Sequence, residues 1–138
     1  SPAQTWTIPS TAQKVITVGA YNAYVRSYAA FSGRGDAGSD RAENSKPDLA
    51  APGVNIRIGE GEGGAVVSGT SYATPFVTAA AALLMEYGIV QGNDPFLYGE
   101  KVKAYLHAGA RQLPGYDIWP NDQVGWGALC VSESLPEK

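Results

Sequence analysis

The sequence predicts an α/β fold in which a parallel sheet packs against a central helix. Val15 to Ala20 is an almost unbroken run of β-branched and small apolar residues, typical of a strand buried on both faces. Ala65 to Ser68 predicts a second strand, and a tight turn separates it from the apolar run Phe76 to Met85. That run is apolar on every side, which predicts a buried helix rather than an amphipathic one.

Length and composition limit the function classes. The chain has 138 residues, 44% of them hydrophobic, which is enough for one packed core. A formal net charge of −3 argues against nucleic-acid binding, which would require a basic stripe. No uninterrupted apolar run reaches the roughly 18 residues of a membrane span. Cys130 is the single cysteine, so a disulfide framework is excluded. The sequence thus predicts neither a nucleic-acid partner nor a membrane partner.

The elements before the central helix are short. Residues 1–14 are polar and predict a surface loop, and Tyr21 to Ser32 could hold another short strand. The stretch 33–47 is rich in Gly, Asp, Ser and Asn and predicts a loop. Val54 to Ile58 predicts a short strand, and the glycine-acid stretch Gly59 to Gly64 predicts a turn.

The start of the central helix has two solutions. Local capping rules place Thr74 at the N-cap and Pro75 at the first helical position. If the helix begins near Ser71 instead, Pro75 lies inside it and leaves the Ser71 carbonyl without its helical hydrogen bond. In both cases Ser71 lies at the helix entrance, and Gly88 is the predicted C-cap.

Two more helices are predicted towards the end of the chain. Asp94-Pro95 is an N-cap followed by a proline at N1, and it predicts a helix from about Phe96 to His107 that Gly109 ends. The stretch Gly125 to Val131 predicts the opening of a last short helix.

Ser71 is the candidate nucleophile. It is predicted at a helix N-terminus, where unpaired N–H groups and the helix dipole favour negative charge. Acyl transfer needs such a place, because the oxygen of the attacked carbonyl becomes an anion. The alternative is a serine that merely caps a strand-to-helix turn.

The motif G-T-S-Y-A-T-P at residues 69–75 resembles the nucleophile motif G-T-S-x-A-x-P of subtilisin-like serine proteases. Further segments follow the family's order: the strand at Val15, Phe31-Ser32, K-P-D-L-A-A-P-G-V at residues 46–54, and Gly125-Trp126-Gly127. The tail from Val102 to Leu129 looks most like clostridial-type subtilases, including the spore-germination group. The motif residues carried over by this resemblance are Ser71 as the catalytic residue and, around it, Gly69, Thr70, Ala73 and Pro75.

The resemblance implies a three-layer subtilisin-like fold with a parallel sheet, of which residues 1–138 form the C-terminal portion. It implies a serine endopeptidase acting on polypeptides. No cofactor is expected and no residue is assigned as a metal ligand. The sequence does not determine the compartment, for which a secreted or spore-associated bacterial protein is the working expectation. The family's Asp and His, and the Asn of its oxyanion hole, belong upstream of Val15, so they are expected in an N-terminal portion of the same domain. Ser1-Pro2-Ala3-Gln4 lacks an initiator Met and a signal pattern, which favours an excised or processed piece. Such a piece is expected to self-associate or to need that portion, because a cut sheet exposes an edge.

Three alternatives compete with this interpretation. An α/β-hydrolase would need G-x-S-x-G, but Ala73 stands at the last motif position, and only 36 residues separate Ser71 from His107. His107, the single histidine, is predicted to be a polar residue near a helix C-terminus rather than the base. A subtilase-like domain without catalysis would act as a binding or signalling module.

The acidic residues around the predicted loop are a candidate calcium site. Their spacing does not match an EF-hand, and a solvated acidic loop is the preferred interpretation. These residues are Asp36, Asp40, Glu43 and Asp48.

Overall fold

A computed structural model describes residues 5–36 and 44–136, and the fold is built around a three-stranded sheet. Strands β1 (Val18–Asn22) and β3 (Leu49–Pro52) are parallel, with Val18 opposite Leu49. Strand β2 (Ser27–Tyr28) folds back antiparallel on the end of β1, with Asn22 opposite Ser27. The predicted strand in 21–32 is therefore present. Residues 37–43 of the predicted loop and residues 1–4 and 137–138 of the chain lie outside the described residues.

The first strand begins three residues later than the sequence predicts. Val15 is 40% exposed, and the Thr17 N–H donates to the carboxylate of Asp48 at 2.7 Å. That N–H is thereby bonded to a side chain instead of a neighbouring strand. The Thr17 carbonyl still accepts the Asp48 N–H at 2.8 Å, so the run reaches β3 only at Thr17 and its first residues lie outside the sheet.

A separate hairpin leads to the central helix. Strands β4 (Ile56–Ile58) and β5 (Ala65–Val67) are antiparallel, with Ile58 opposite Ala65. A short 3-10 turn, Gly61–Gly63, lies in the predicted glycine-acid turn. Both strands are shorter than predicted, but they occur where the sequence places them.

Helix α1 (Thr70–Met85) packs on β1 and β3. The sheet residues at alternate positions face it, so Leu49 and Ala51 join the α1 core while Ala50 points to the other face. On that other face Ala50 contacts a cluster of Leu113, Val124 and Ala128 from the late loops. The sheet is therefore covered by a helix on one face and by loop segments on the other.

Among the described residues, other elements cover the central helix on one side only. Its buried positions are Ala73, Val77, Ala80 and Leu84. Phe76 and Leu83 are 41% and 50% exposed. The described elements pack on one side of α1 only, so an apolar face of the helix remains uncovered.

The helical stretch Thr70–Val90 spans 21 residues and contains an 18-residue window with a mean hydropathy of 1.4. By length and composition alone this stretch could cross a membrane. It is interrupted by polar residues, so no unbroken run of apolar residues in it reaches the roughly 18 residues of a membrane span. The core helix of a soluble protein passes the same test.

Gly88 does not end the helix. The chain continues through a π-helical turn, Glu86–Val90, in which Gly88 is buried. A Cβ at Gly88 would lie 2.6 Å from Leu97 Cβ and 2.8 Å from the Asp94 carbonyl oxygen. Glycine is needed there for close packing rather than for capping.

The last two helices start later than predicted. Helix α2 (Glu100–Ala108) follows Gly99 and ends at Gly109 as expected, whereas the Asp94 carboxylate accepts the Phe96 N–H in a separate turn. Helix α3 is the short Val131–Ser134. Instead of opening a helix, Gly125 to Leu129 lies against β3, with the Leu129 N–H donating to the Ala50 carbonyl at 2.8 Å.

Candidate active site

Ser71 is exposed at the second position of α1, immediately after the turn from β5. The Gly69 N–H donates to the Gly53 carbonyl at 2.8 Å, which ties this turn to the end of β3. A Cβ at Gly53 would lie 2.9 Å from the Gly69 carbonyl oxygen and 2.7 Å from Ala20 Cβ. Glycine at position 53 therefore lets β1, β3 and the turn meet behind Ser71.

The helix adopts the earlier of the two predicted starts. Gly69 is the N-cap and Thr70 is the first helical residue, so Pro75 lies inside α1. Proline has no N–H to donate to the Ser71 carbonyl four residues earlier. Thr74 is not an N-cap, and its Oγ1 donates to the Thr70 carbonyl at 3.0 Å. The hydrogen bond between Gly69 and Gly53 fixes the start of the helix and overrides the local preference for Thr74.

Ala73, another residue of the motif, is fully buried on the inner side of α1. A Cβ placed on Gly53 would lie 3.3 Å from the Ala73 Cβ, so the glycine at position 53 also lets β3 approach α1 closely. The motif thus combines a buried small residue facing the sheet with an exposed serine facing outward.

Two open grooves meet at Ser71. One follows the uncovered side of α1 along Pro75, Ala79 and Ala82. We call the other the Ser71 groove, and it has a volume of about 280 Å³. It is lined by Trp6, Pro9, Ser10, Val15, Ile16, Thr17, Val18, Thr70, Ser71 and Thr74.

Within residues 5–36 and 44–136, neither groove is lined by a histidine or a carboxylate. His107 lines a different cavity, together with Lys103 and Glu100, and Ser71 does not border it. The described residues therefore bring no general base or orienting acid to Ser71.

A buried ionic cluster lies at the start of β3, and we call it the Asp48 cluster (Lys46, Asp48, Lys103 and His107). Asp48 is 0% exposed. Its Oδ2 accepts Lys46 Nζ at 2.7 Å, and its Oδ1 accepts Lys103 Nζ at 2.8 Å and His107 Nε2 at 3.1 Å. The His107 ring also stacks on Trp126, with the ring centroids 5.4 Å apart.

The cluster sets the charge state of Asp48. Burial by itself would raise the pKa of this carboxyl group. The hydrogen bonds from His107, Lys103, Lys46 and the Thr17 N–H outweigh burial and lower the pKa of Asp48 to about 2. Burial lowers the pKa of Lys46, although Asp48 opposes that change. Asp48 is thus a carboxylate at neutral pH, held by two ammonium groups and an imidazole.

Sequence reasoning missed this cluster. The interpretation of Asp48 as part of a solvated acidic loop is wrong, because its carboxylate is buried and bonded to four donors. Asp36 is exposed, while Asp40 and Glu43 lie outside the described residues. One signal was available, since Lys103 and His107 are four residues apart and share a helix face. In the described part of the chain, no three His, Cys, Asp or Glu side chains gather as metal ligands.

Comparisons with known proteins connect this geometry to a family. The model of the subtilase family, peptidase S8, matches residues 1–127. The serine protease AprX of Bacillus subtilis is 31% identical over 96% of this chain, which corresponds to 32% of AprX. The subtilase-type proteinase RRT12 of Saccharomyces cerevisiae is 36% identical over 61% of this chain and 16% of its own length. The chain spans a third or less of these relatives.

Solved structures agree with the family model. The CspB protease of Clostridium perfringens superposes with a TM-score of 0.82 at 46% identity, over 92% of this chain and 27% of that chain. The prenylagaramide maturation protease PagA superposes with a TM-score of 0.71 at 31% identity, over 93% of this chain and 44% of that chain. The described α/β structure is therefore a partial subtilase fold, and the chain belongs to the subtilase family.

Proposed function

We propose that Ser71 is the nucleophile of a serine endopeptidase that cleaves polypeptides through an acyl-enzyme. The observation that supports this proposal is the position of Ser71, exposed at the N-terminus of α1 where two open grooves meet. Ser71 Oγ would attack the scissile carbonyl carbon and pass its proton to a base. The Ser71 backbone N–H, one of the unpaired donors of the first helical turn, would donate to the oxyanion.

The remaining catalytic groups are proposed to come from an N-terminal portion of the same domain. In the serine protease triad a histidine removes the proton from the serine and a buried aspartate orients the histidine. No described residue of this chain offers either group to Ser71. The uncovered apolar face of α1, with Phe76 and Leu83, supports a further layer of the domain at this position. Loss of one oxyanion donor costs about 3–4 kcal/mol of transition-state stabilisation, so this chain alone would be inactive.

A fluorophosphonate probe tests the role of Ser71, because it phosphonylates serines that an adjacent base has activated. In the full-length protein we expect one labelled site at Ser71, and Ser71→Ala should abolish the label. Ser68→Ala is the matched control, since Ser68 is an exposed serine of the same turn whose Oγ accepts the Asn55 N–H at 2.9 Å. That variant should keep the label.

The second candidate function is a subtilase-like binding or signalling module without catalysis. It becomes the function if the N-terminal portion also lacks the base or the acid, since no described residue lines either groove with one. A folded full-length protein that does not react with the probe would support this module and refute the endopeptidase.

A further inference from the structure

We infer that the Asp48 cluster contains positioning residues for catalysis at Ser71, an inference that rests on the proposed function. Asp48, Lys46 and Lys103 do not border the Ser71 groove. They act on it by fixing the chain segment 13–17, of which residues 15–17 line one wall of the groove. Their removal should lower kcat without changing substrate binding.

The polar contacts of the cluster converge on that segment. Lys46 Nζ donates to the Val15 carbonyl at 2.7 Å, and Lys103 Nζ donates to the Gln13 carbonyl at 2.8 Å. The carboxylate of Asp48 accepts the Thr17 N–H at 2.7 Å. The two ammonium groups and the carboxylate therefore bind the backbone at three positions within five residues.

Apolar packing contributes less to the position of this segment. Val15 is 40% exposed and Ile16 is only partly buried, so they contact the core incompletely. Thr17 Oγ1 extends the polar network by donating to the Ser10 carbonyl at 2.5 Å, and Ser10 also lines the Ser71 groove. Hydrogen bonds to buried charged groups are among the stronger polar interactions, so they can fix a segment that the apolar core does not hold.

The groove continues into a surface that this chain leaves uncovered. Ile16, Val18 and Thr74 line both the Ser71 groove and the apolar cavity between α1 and α2. β2 pairs with β1 at Tyr21 and Asn22, and the segment after β2 takes both backbone groups of Ala20, whose carbonyl accepts the Ala29 N–H at 3.1 Å. Val18 has no strand on that side among the described residues. We therefore assign the groove to an extended segment of the same domain rather than to substrate. A segment that binds in the Ser71 groove lies beside Ser71. If the wall of the groove shifts, the segment shifts with it and displaces the groups that act in the transition state.

The test compares two lysines of helix α2 in the full-length protein. Lys103→Met removes the buried ammonium group. Lys101→Met is the matched control, because Lys101 is an exposed lysine two residues earlier that pairs with Asp94. For each variant, fluorophosphonate titration gives the fraction of active sites, and peptide hydrolysis gives kcat per active site and KM.

We expect Lys103→Met to lower kcat per active site about tenfold, a loss of the size that small misplacements of reacting groups produce, with KM within about twofold of wild type. Lys101→Met should change neither. Lys103→Arg keeps a cation and should recover part of the loss.

Other results would overturn the inference or the proposed function on which it rests. A lower active fraction with normal kcat per active site would show that the cluster only stabilises the fold. A higher KM with normal kcat would place substrate in the groove. An unchanged kcat per active site in a Lys103→Met protein that the probe labels would refute the inference alone. A wild-type protein that the probe does not label would refute the proposed function itself.

Discussion

Replacing the buried carboxylate of Asp48 should destabilise the protein strongly. Asp48→Asn keeps the size of the side chain but removes the charge that balances Lys46 and Lys103, whose side chains are 8% and 11% exposed. Breaking a buried ion pair from one side costs about 3–5 kcal/mol, because the remaining charge stays buried without its partner. Denaturant unfolding of the full-length protein at neutral pH measures this loss.

The same residue predicts an acid-sensitive stability. The pKa of Asp48 is lowered from 3.8 to about 2 in the folded state, so the folded state binds this proton less tightly than the unfolded chain. The stabilisation is complete above pH 3.8 and is lost as the pH falls towards 2. A pKa difference of this size corresponds to about 2 kcal/mol.

The pH dependence provides a test that is independent of the loss at neutral pH. Wild type should lose this contribution between pH 4 and 2, and Asp48→Asn should lack it. Asp94→Asn is the control, since Asp94 forms an exposed ion pair with Lys101 and should change the free energy of unfolding little. The reasoning is refuted if Asp48→Asn costs less than about 1 kcal/mol, the range of a surface pair, or if its acid profile matches wild type.

Two further predictions concern packing. Gly88→Ala should lower the free energy of unfolding by about 1–3 kcal/mol, because the new Cβ would lie 2.6 Å from Leu97 Cβ. Gly92→Ala is the comparison variant, since its new Cβ would have open space around it and only backbone strain at φ 75°. Thermal unfolding of both variants checks this, and an unchanged Tm for Gly88→Ala would contradict the tight contact. The isolated 138-residue chain should self-associate through the uncovered face of α1. Leu83→Ser should reduce the self-association of this chain, measured by sedimentation. A wild-type chain that stays monomeric at high concentration would contradict this expectation.

Local sequence patterns were sufficient to predict the elements that carry Ser71. The apolar runs at 65–68 and 76–85 predict a strand and a helix with a turn between them, and both are present. The motif at 69–75 indicated the family that the family model confirms. These predictions succeed because strand and helix periodicity, and the residues needed in a tight turn, are encoded within a few neighbouring positions.

Element boundaries depended on contacts between distant residues. The start of α1 follows from the hydrogen bond between Gly69 and Gly53, and the start of β1 follows from the Asp48 carboxylate that accepts the Thr17 N–H. Capping rules and β propensity consider neighbours along the chain, so they placed Thr74 at the N-cap and extended the strand to Val15. Tertiary hydrogen bonds overrode both preferences.

The sequence by itself determined that a serine follows a strand at the entrance of an apolar helix, because that information is local. Only the tertiary structure decided that Asp48 is buried and that Lys46, Lys103 and His107 surround it. Asp48 and His107 are 59 residues apart in the chain. Burial and charge pairing over such separations arise from how the elements pack, and no spacing rule along the chain encodes them.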